Sequence, residues 1–120
     1  FPFYPEIEGR QFALLEIPST LPTLDEVVGR KGTEPKELAQ YFLSRLGENL
    51  EILTVHTELE GRRWGLFLET FITGALERGY VFSRLSDIAQ TVISERSARP
   101  GRIDFGEIEG RAGEVCLQTP

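Results

Sequence analysis

The sequence predicts an α/β fold in which helices alternate with the strands of a largely parallel sheet. Apolar runs of strand length alternate with segments of helical periodicity, and the chain finishes in a hairpin pattern. At 120 residues the chain has the size of one domain. We therefore expect a single unit over residues 1–120, with too few strands to close a barrel by itself.

The first 30 residues predict a loop, a strand and a short helix. Residues 1–9 contain two prolines, which favour an extended loop. The apolar run 11–17 is typical of a strand covered on both faces, although a short buried helix fits the same pattern. A helix over residues 23–28 follows, with Thr23 or Asp25 as its N-cap.

The middle of the chain predicts two longer helices around one strand. The first helix begins near Pro35 and ends at Gly47, since proline fits a first turn and glycine a C-terminus. Residues 50–56 form a β-branched, apolar strand, and a second helix covers 62–78. Helical spacing predicts these buried side chains: Leu38, Ala39, Phe42, Leu43, Leu46, Trp64, Phe67, Leu68, Phe71, Ile72, Ala75 and Leu76.

The last third predicts a short strand, a helix and a hairpin. Residues 80–82 have strand composition, and Ser86 is expected to cap the helix that follows. Residues 94–101 are polar, contain a proline and indicate a loop. The apolar alternation in 103–109 and 114–118, separated by a glycine-containing turn, predicts a C-terminal β-hairpin.

Composition and charge exclude some classes of partner. The net charge is −6, which argues against a nucleic-acid partner because phosphate binding needs a basic face. The single cysteine, Cys116, lies between apolar residues and is expected to be a small core residue, not a nucleophile. The chain starts at Phe1 and contains no Met, so we expect it to be part of a longer protein.

His56 is the main candidate for chemistry. It is the only histidine, and it ends the strand predicted for residues 50–56. Imidazole can give or take a proton near neutral pH, but a histidine that is hydrogen-bonded only for structure fits the same pattern. On an extended backbone Glu58 and Glu60 would face the same side. They could position His56, bind a polar substrate or only solvate the loop.

Four stretches together resemble one enzyme family. They are Ile-Pro-Ser-Thr-Leu-Pro-Thr-Leu-Asp-Glu-Val-Val-Gly-Arg at 17–30, Thr-Val-His-Thr-Glu-Leu-Glu-Gly at 54–61, Gly-Tyr-Val-Phe-Ser-Arg-Leu-Ser-Asp at 79–87, and the tail 101–118. The chain resembles the C-terminal part of a polysaccharide-deacetylase (NodB-homology) protein. Within that family it is closest to deformylases that act on formamido-arabinose-phosphoundecaprenol in lipid A modification. The resemblance implies the C-terminal portion of a distorted (β/α) barrel, with a C-terminal β-hairpin.

The resemblance also implies a reaction. In the family a divalent metal, expected to be zinc, activates water for attack on an N-acyl carbonyl, with an Asp as base. His56 matches the last conserved motif and would be the general acid. The metal and base motifs lie upstream in the family, and this chain has no ligands for the metal. Glu58 and Glu60 are expected to bind substrate, together with three residues of the loop at the same mouth: Thr20, Pro22 and Asp25.

Further expectations concern partners and location. The substrate would be an amino sugar linked to undecaprenyl phosphate, and the rest of the barrel or another copy of the chain would cover the exposed edges. The location would be cytoplasmic, at the inner face of the cytoplasmic membrane. Two alternatives stay open. One is a non-catalytic, self-associating module, and the other is a related enzyme acting on chitin-like or peptidoglycan sugars.

Overall fold

A computed structural model describes residues 1–119, which form two compact units. One unit comprises Phe1–Pro18 with residues 82–119, and the other is Ser19–Val81. Whether these residues form a single domain of a larger barrel stays a prediction. The strands are β1 (Phe3–Ile7), β2 (Arg10–Gln11), β3 (Arg99–Glu107) and β4 (Glu114–Thr119), and the helices are α1 (Leu24–Val27), α2 (Pro35–Arg45), α3 (Gly65–Glu77) and α4 (Leu85–Glu95).

The first unit contains a mixed sheet of strand order β2-β1-β3-β4. Only β1 and β3 are parallel, whereas β2 and β4 each run antiparallel to their neighbour. The expectation of a largely parallel sheet is therefore wrong for the described residues. The reason is local, because a short turn reverses the chain between β1 and β2. Glu8 and Gly9 adopt φ values of 51° and 76° there, the left-handed conformation of a tight hairpin.

Strand β1 occupies the segment predicted as a loop. Pro5 pairs with Gly101 of β3, and its carbonyl oxygen accepts the N–H of Phe12 at 2.8 Å. A proline lacks a donor but keeps its acceptor, so it is tolerated where the carbonyl does the pairing. The strand predicted over 11–17 is also wrong. Apart from Gln11 in β2, that run forms one isolated bridge, and its Leu14 is 65% exposed, so neighbouring residues do not cover the run on both faces.

The C-terminal hairpin is confirmed as β3 and β4. Its register places Phe105 opposite Cys116. Phe105 is 71% exposed, so Cys116 lies on an open face of the sheet and is exposed, contrary to the expectation of a core residue. The loop predicted over 94–101 is shorter, because α4 runs to Glu95 and β3 begins at Arg99.

Helix α4 is confirmed, but its predicted cap is not. The N-cap position belongs to Arg84, and Ser86 lies inside the first turn. The Ser86 hydroxyl donates to the side chain of Asp87 at 3.3 Å and caps no backbone group there.

The second unit has a helical core made by α2 and α3. The ring of Phe42 meets that of Phe67 edge to face at 5.1 Å, and Phe67 stacks on Phe71 at 6.3 Å. Pro35 opens α2 as predicted. Most of the predicted core is confirmed, although Leu76 is exposed. The buried apolar side chains of this unit are Leu21, Leu24, Val27, Leu38, Ala39, Phe42, Leu43, Trp64, Phe67, Phe71 and Ala75.

The strands predicted over 50–56 and 80–82 are absent among the described residues. Arg78 and Gly79 separate residues 80–82 from the end of α3, and the N–H of Tyr80 bonds the carbonyl oxygen of Ala75. The segment 50–56 has no ladder partner. Its main-chain bonds to the neighbouring loop are concentrated at Ile52, whose carbonyl oxygen accepts the N–H groups of Thr20 and Leu21 at 3.1 Å each. Hydrogen bonds at this one residue do not make residues 50–56 a β-strand.

Candidate functional site

His56 lies at the end of an extended segment, not of a strand. Its Nδ1 atom is buried and has no hydrogen-bond partner among the described residues. The carboxylate of Asp25 lies near this atom, at 3.9 Å between Nδ1 and Oδ1. The side chain as a whole is 37% exposed, so solvent reaches the part of the ring that lies away from Nδ1. One ring nitrogen is therefore buried near a carboxylate, while part of the side chain is open to solvent.

Asp25 is held in place by the short helix α1. The neighbouring side chains Leu24 and Val27 are buried in the core of the unit. The helix start is fixed by Glu26, whose side chain accepts the N–H of the N-cap residue Thr23 at 2.9 Å. Asp25 itself is exposed. The buried neighbours of Asp25 and the bond at the helix start thus fix the backbone that carries its carboxylate. This fixed backbone brings the carboxylate near His56.

The backbone after His56 turns at once. The carbonyl oxygen of His56 accepts the N–H groups of Leu59 and Glu60, both at 3.0 Å. The carboxylate Oε2 of Glu60 accepts the N–H of His56 at 2.8 Å. The extended backbone predicted for this segment is therefore wrong. Glu58 is exposed while Glu60 is only 3% exposed, so the two carboxylates do not share a side.

The loop that precedes α1 is tied to the segment before His56. The hydroxyl of Thr20 donates to Glu51 Oε2 at 2.5 Å and accepts the N–H of Ile52 at 2.8 Å. The hydroxyls of Ser19 and Thr54 lie 2.7 Å apart. Sequence reasoning missed these cross-links, because isolated hydroxyl and carboxyl side chains have no periodic signal. Pro22 is half-buried in the same loop. Substrate binding by Thr20 and Pro22 stays a prediction.

The divalent metal implied by the family resemblance would need ligands such as His, Cys, Asp or Glu side chains. Within residues 1–119 no three side chains of His, Cys, Asp or Glu converge as a metal group. The pair formed by His56 and Asp25 supplies one imidazole and one carboxylate, and Glu60 is engaged with the backbone. A catalytic zinc site needs three protein ligands with an open position.

No protein-family model matches the chain. Over 119 residues it is 32% identical to the probable 4-deoxy-4-formamido-L-arabinose-phosphoundecaprenol deformylase ArnD of Wigglesworthia glossinidia brevipalpis. The match covers 97% of this chain. The chain is a homologue of this deformylase. The chain spans 40% of the length of ArnD. The resemblance inferred from the sequence is confirmed.

The arrangement around His56 is compatible with proton transfer. An imidazole with one nitrogen facing a carboxylate and another edge exposed can transfer a proton at that edge. The structure brings together His56, Asp25 and, through the backbone, Glu60. It places Glu58 on the exposed side of the turn. Among the described helices none is long and apolar enough to cross a membrane.

Proposed function

We propose that this chain is part of a carbohydrate N-deformylase or N-deacetylase, in which His56 is the general acid. The observation that carries the proposal is the setting of His56, whose Nδ1 is buried 3.9 Å from Asp25 Oδ1 while 37% of the side chain is exposed. The similarity to ArnD supports the substrate class, an N-acyl amino sugar on a phosphoundecaprenol carrier. The divalent metal expected for such an enzyme would be bound by the motifs that lie upstream in the family.

The reaction is hydrolysis of an amide. Water adds to the acyl carbonyl carbon, the C–N bond breaks, and the acyl group leaves as formate or acetate. The departing nitrogen needs a proton, because an amide anion is a very poor leaving group. His56 would donate that proton from Nε2. Asp25 would hold the proton on Nδ1 and keep the ring oriented.

The test is turnover by the natural-length gene product. With the formylated amino sugar on undecaprenyl phosphate as substrate, His56→Ala should lower kcat by about 10²–10⁴-fold, the usual contribution of a positioned acid or base. The amount of bound metal should equal that of the wild type. Unchanged turnover in His56→Ala would overturn the acid role. A wild-type protein that releases neither formate nor acetate from N-acyl amino sugars would overturn the whole proposal.

A second candidate function is a non-catalytic module that associates with another copy of itself. The observation that favours it is α4, an amphipathic helix with no buried residue. Its apolar side chains Leu85 and Ile93 are both exposed. Light scattering at high concentration decides the matter. A dimer that Ile93→Asp converts to monomer would support association, and a monomer at every concentration would count against it.

A further inference from the structure

Glu60 is a buried acidic side chain beside the candidate acid. It is 3% exposed, and burying a carboxylate is costly unless hydrogen bonds compensate. Its Oε2 accepts the N–H of His56 at 2.8 Å, and its own N–H donates to the carbonyl oxygen of His56 at 3.0 Å. Glu60 thus bonds both backbone polar groups of His56. We call this reciprocal pair of hydrogen bonds the Glu60 clamp.

The Glu60 clamp is attached to the core of its unit. Leu59 packs against the buried cluster, and its carbonyl oxygen accepts the N–H of Trp64 at 3.0 Å. Trp64 is buried and stands directly before α3. At Gly61 a Cβ would collide with the carbonyl oxygen of Thr57, so the turn is closely packed. The backbone of His56 is therefore tied, through Glu60, to a rigid helix start.

We propose that Glu60 is a positioning residue for His56. This inference rests on the proposed function, because it assigns Glu60 to the proton transfer made by His56. A catalytic group must be held within about 0.5 Å and 10–20° of the productive geometry. The imidazole is separated from its Cα by only two rotatable bonds. The Glu60 clamp fixes the backbone of His56, and Asp25 lies near Nδ1. Together they would determine the direction in which Nε2 points.

The clamp needs an acceptor, not a charge. Glu60 Oε2 does all the bonding that the structure describes, whereas Oε1 is buried with no partner among the described residues. In Glu60→Gln the amide oxygen can still accept the N–H of His56, and the shape of the side chain is kept. In Glu60→Asp the carboxylate is one methylene shorter and cannot reach. These two variants separate positioning from the effect of a negative charge.

The kinetic test uses the natural-length protein and the same formylated lipid-linked sugar. Glu60→Ala and Glu60→Asp should lower kcat by about tenfold to a hundredfold with KM within about twofold, since a misplacement of about 1 Å can cost that much. Glu60→Gln should restore kcat to within about threefold of the wild type. A wild-type kcat in both Glu60→Ala and Glu60→Asp would overturn the positioning role. A loss in Glu60→Gln equal to that in Glu60→Ala would overturn it as well.

Glu37→Ala is the matched control. Glu37 also accepts the N–H four residues before it, that of Thr33 at 3.1 Å, but at the start of α2. Loss of such a bond at that site should leave kcat unchanged. If His56→Ala abolishes turnover while the Glu60 variants do not, the positioning inference fails and the proposed function stands. If the wild-type protein has no amide hydrolase activity, both fail.

Amide hydrogen exchange of the wild-type chain tests the clamp even if Glu60→Ala fails to fold. In the wild-type chain, the amide proton of His56 should exchange with solvent at least about tenfold more slowly than that of exposed Glu58, because the clamp must open first. Exchange of both amides at the same rate would overturn the clamp itself. The chain has one histidine, so a [15N]histidine label identifies the backbone signal of His56, and uniform 15N labelling provides that of Glu58.

Discussion

The carboxylate of Asp25 faces the buried Nδ1 of His56 at 3.9 Å, and the two residues come from separate segments of the second unit. That distance is longer than a direct hydrogen bond. We propose that Asp25 orients the ring of His56, a role different from the substrate contact expected from the sequence. A carboxylate at Nδ1 selects which nitrogen of a neutral imidazole carries the proton.

The ring tautomer of His56 should therefore depend on Asp25. In the wild-type chain the neutral imidazole should carry its proton on Nδ1, where the carboxylate can accept it. In Asp25→Ala the proton should move largely to Nε2, because the acceptor is lost. Two-bond 1H–15N correlation spectra report the tautomer directly, and the single histidine leaves one imidazole to interpret.

The control for this experiment is Asp87→Asn, which removes an exposed carboxylate at the start of α4 in the other unit. Its spectrum should match that of the wild type. Identical tautomers in wild type and Asp25→Ala would show that Asp25 does not orient the ring.

The helices of the second unit were predictable because their signals are local. Pro35 at a first turn, Thr23 as the N-cap of α1 and the apolar stripe of α2 all follow from spacing and capping. The strands were harder to predict, because pairing depends on distant partners. The apolar segment 50–56 has strand composition but no ladder partner among the described residues, whereas the proline-containing Phe3–Ile7 is paired on both sides.

The candidate site was predictable only in part. The sequence singled out His56 and the carboxylates near it, since a lone titratable residue after an apolar run is visible in one dimension. It could not show that Glu60 is buried and Glu58 exposed, because that division follows from a tight turn. The approach of Asp25 to Nδ1 depends on how α1 is anchored in the core, which spacing does not reveal.

Gly61→Ala should destabilise the second unit. A Cβ there would collide with the backbone carbonyl oxygen of Thr57, so the backbone of the turn would have to shift. We expect a loss of about 1–3 kcal/mol in the free energy of unfolding, the usual cost of overpacking. The fluorescence of Trp64, the only tryptophan and a core residue, reports urea unfolding of this unit.

Gly65→Ala is the matched control for that experiment. Its Cβ would lie 3.5 Å from the carbonyl oxygen of Glu60, which is an ordinary contact. Its free energy of unfolding should stay within about 0.5 kcal/mol of the wild type or rise, because alanine favours a helix over glycine. If the urea-unfolding curves of Gly61→Ala and Gly65→Ala had the same midpoint and the same slope, the turn at Gly61 would not be closely packed.

Cys116 should react as an exposed thiol. It lies opposite the exposed ring of Phe105 on β4, so a thiol reagent such as Ellman's should label the folded chain without denaturant. The rate should be within about tenfold of that in urea, because no opening of the fold is required. Labelling that begins only as the sheet unfolds would restore the core position expected from the sequence.

The fourth prediction compares two neighbouring residues of α3. Phe67 is fully buried against Phe42 and Phe71, whereas Leu66, one position earlier, is 49% exposed. Phe67→Ala should lower the free energy of unfolding by about 3–5 kcal/mol, because it removes a ring from a packed core and leaves a cavity. Leu66→Ala should cost less than about 1 kcal/mol, since half of its side chain already lies in water.

Urea unfolding followed by Trp64 fluorescence distinguishes the two variants, because Trp64 belongs to the same core. The slope of the free energy with denaturant should be unchanged if each variant keeps its folded surface. Similar losses at both positions would mean that α3 is buried on a different face from the one described. A large loss at Phe67 with little change at Leu66 would show that the ring cluster with Phe42 and Phe71 holds α2 against α3.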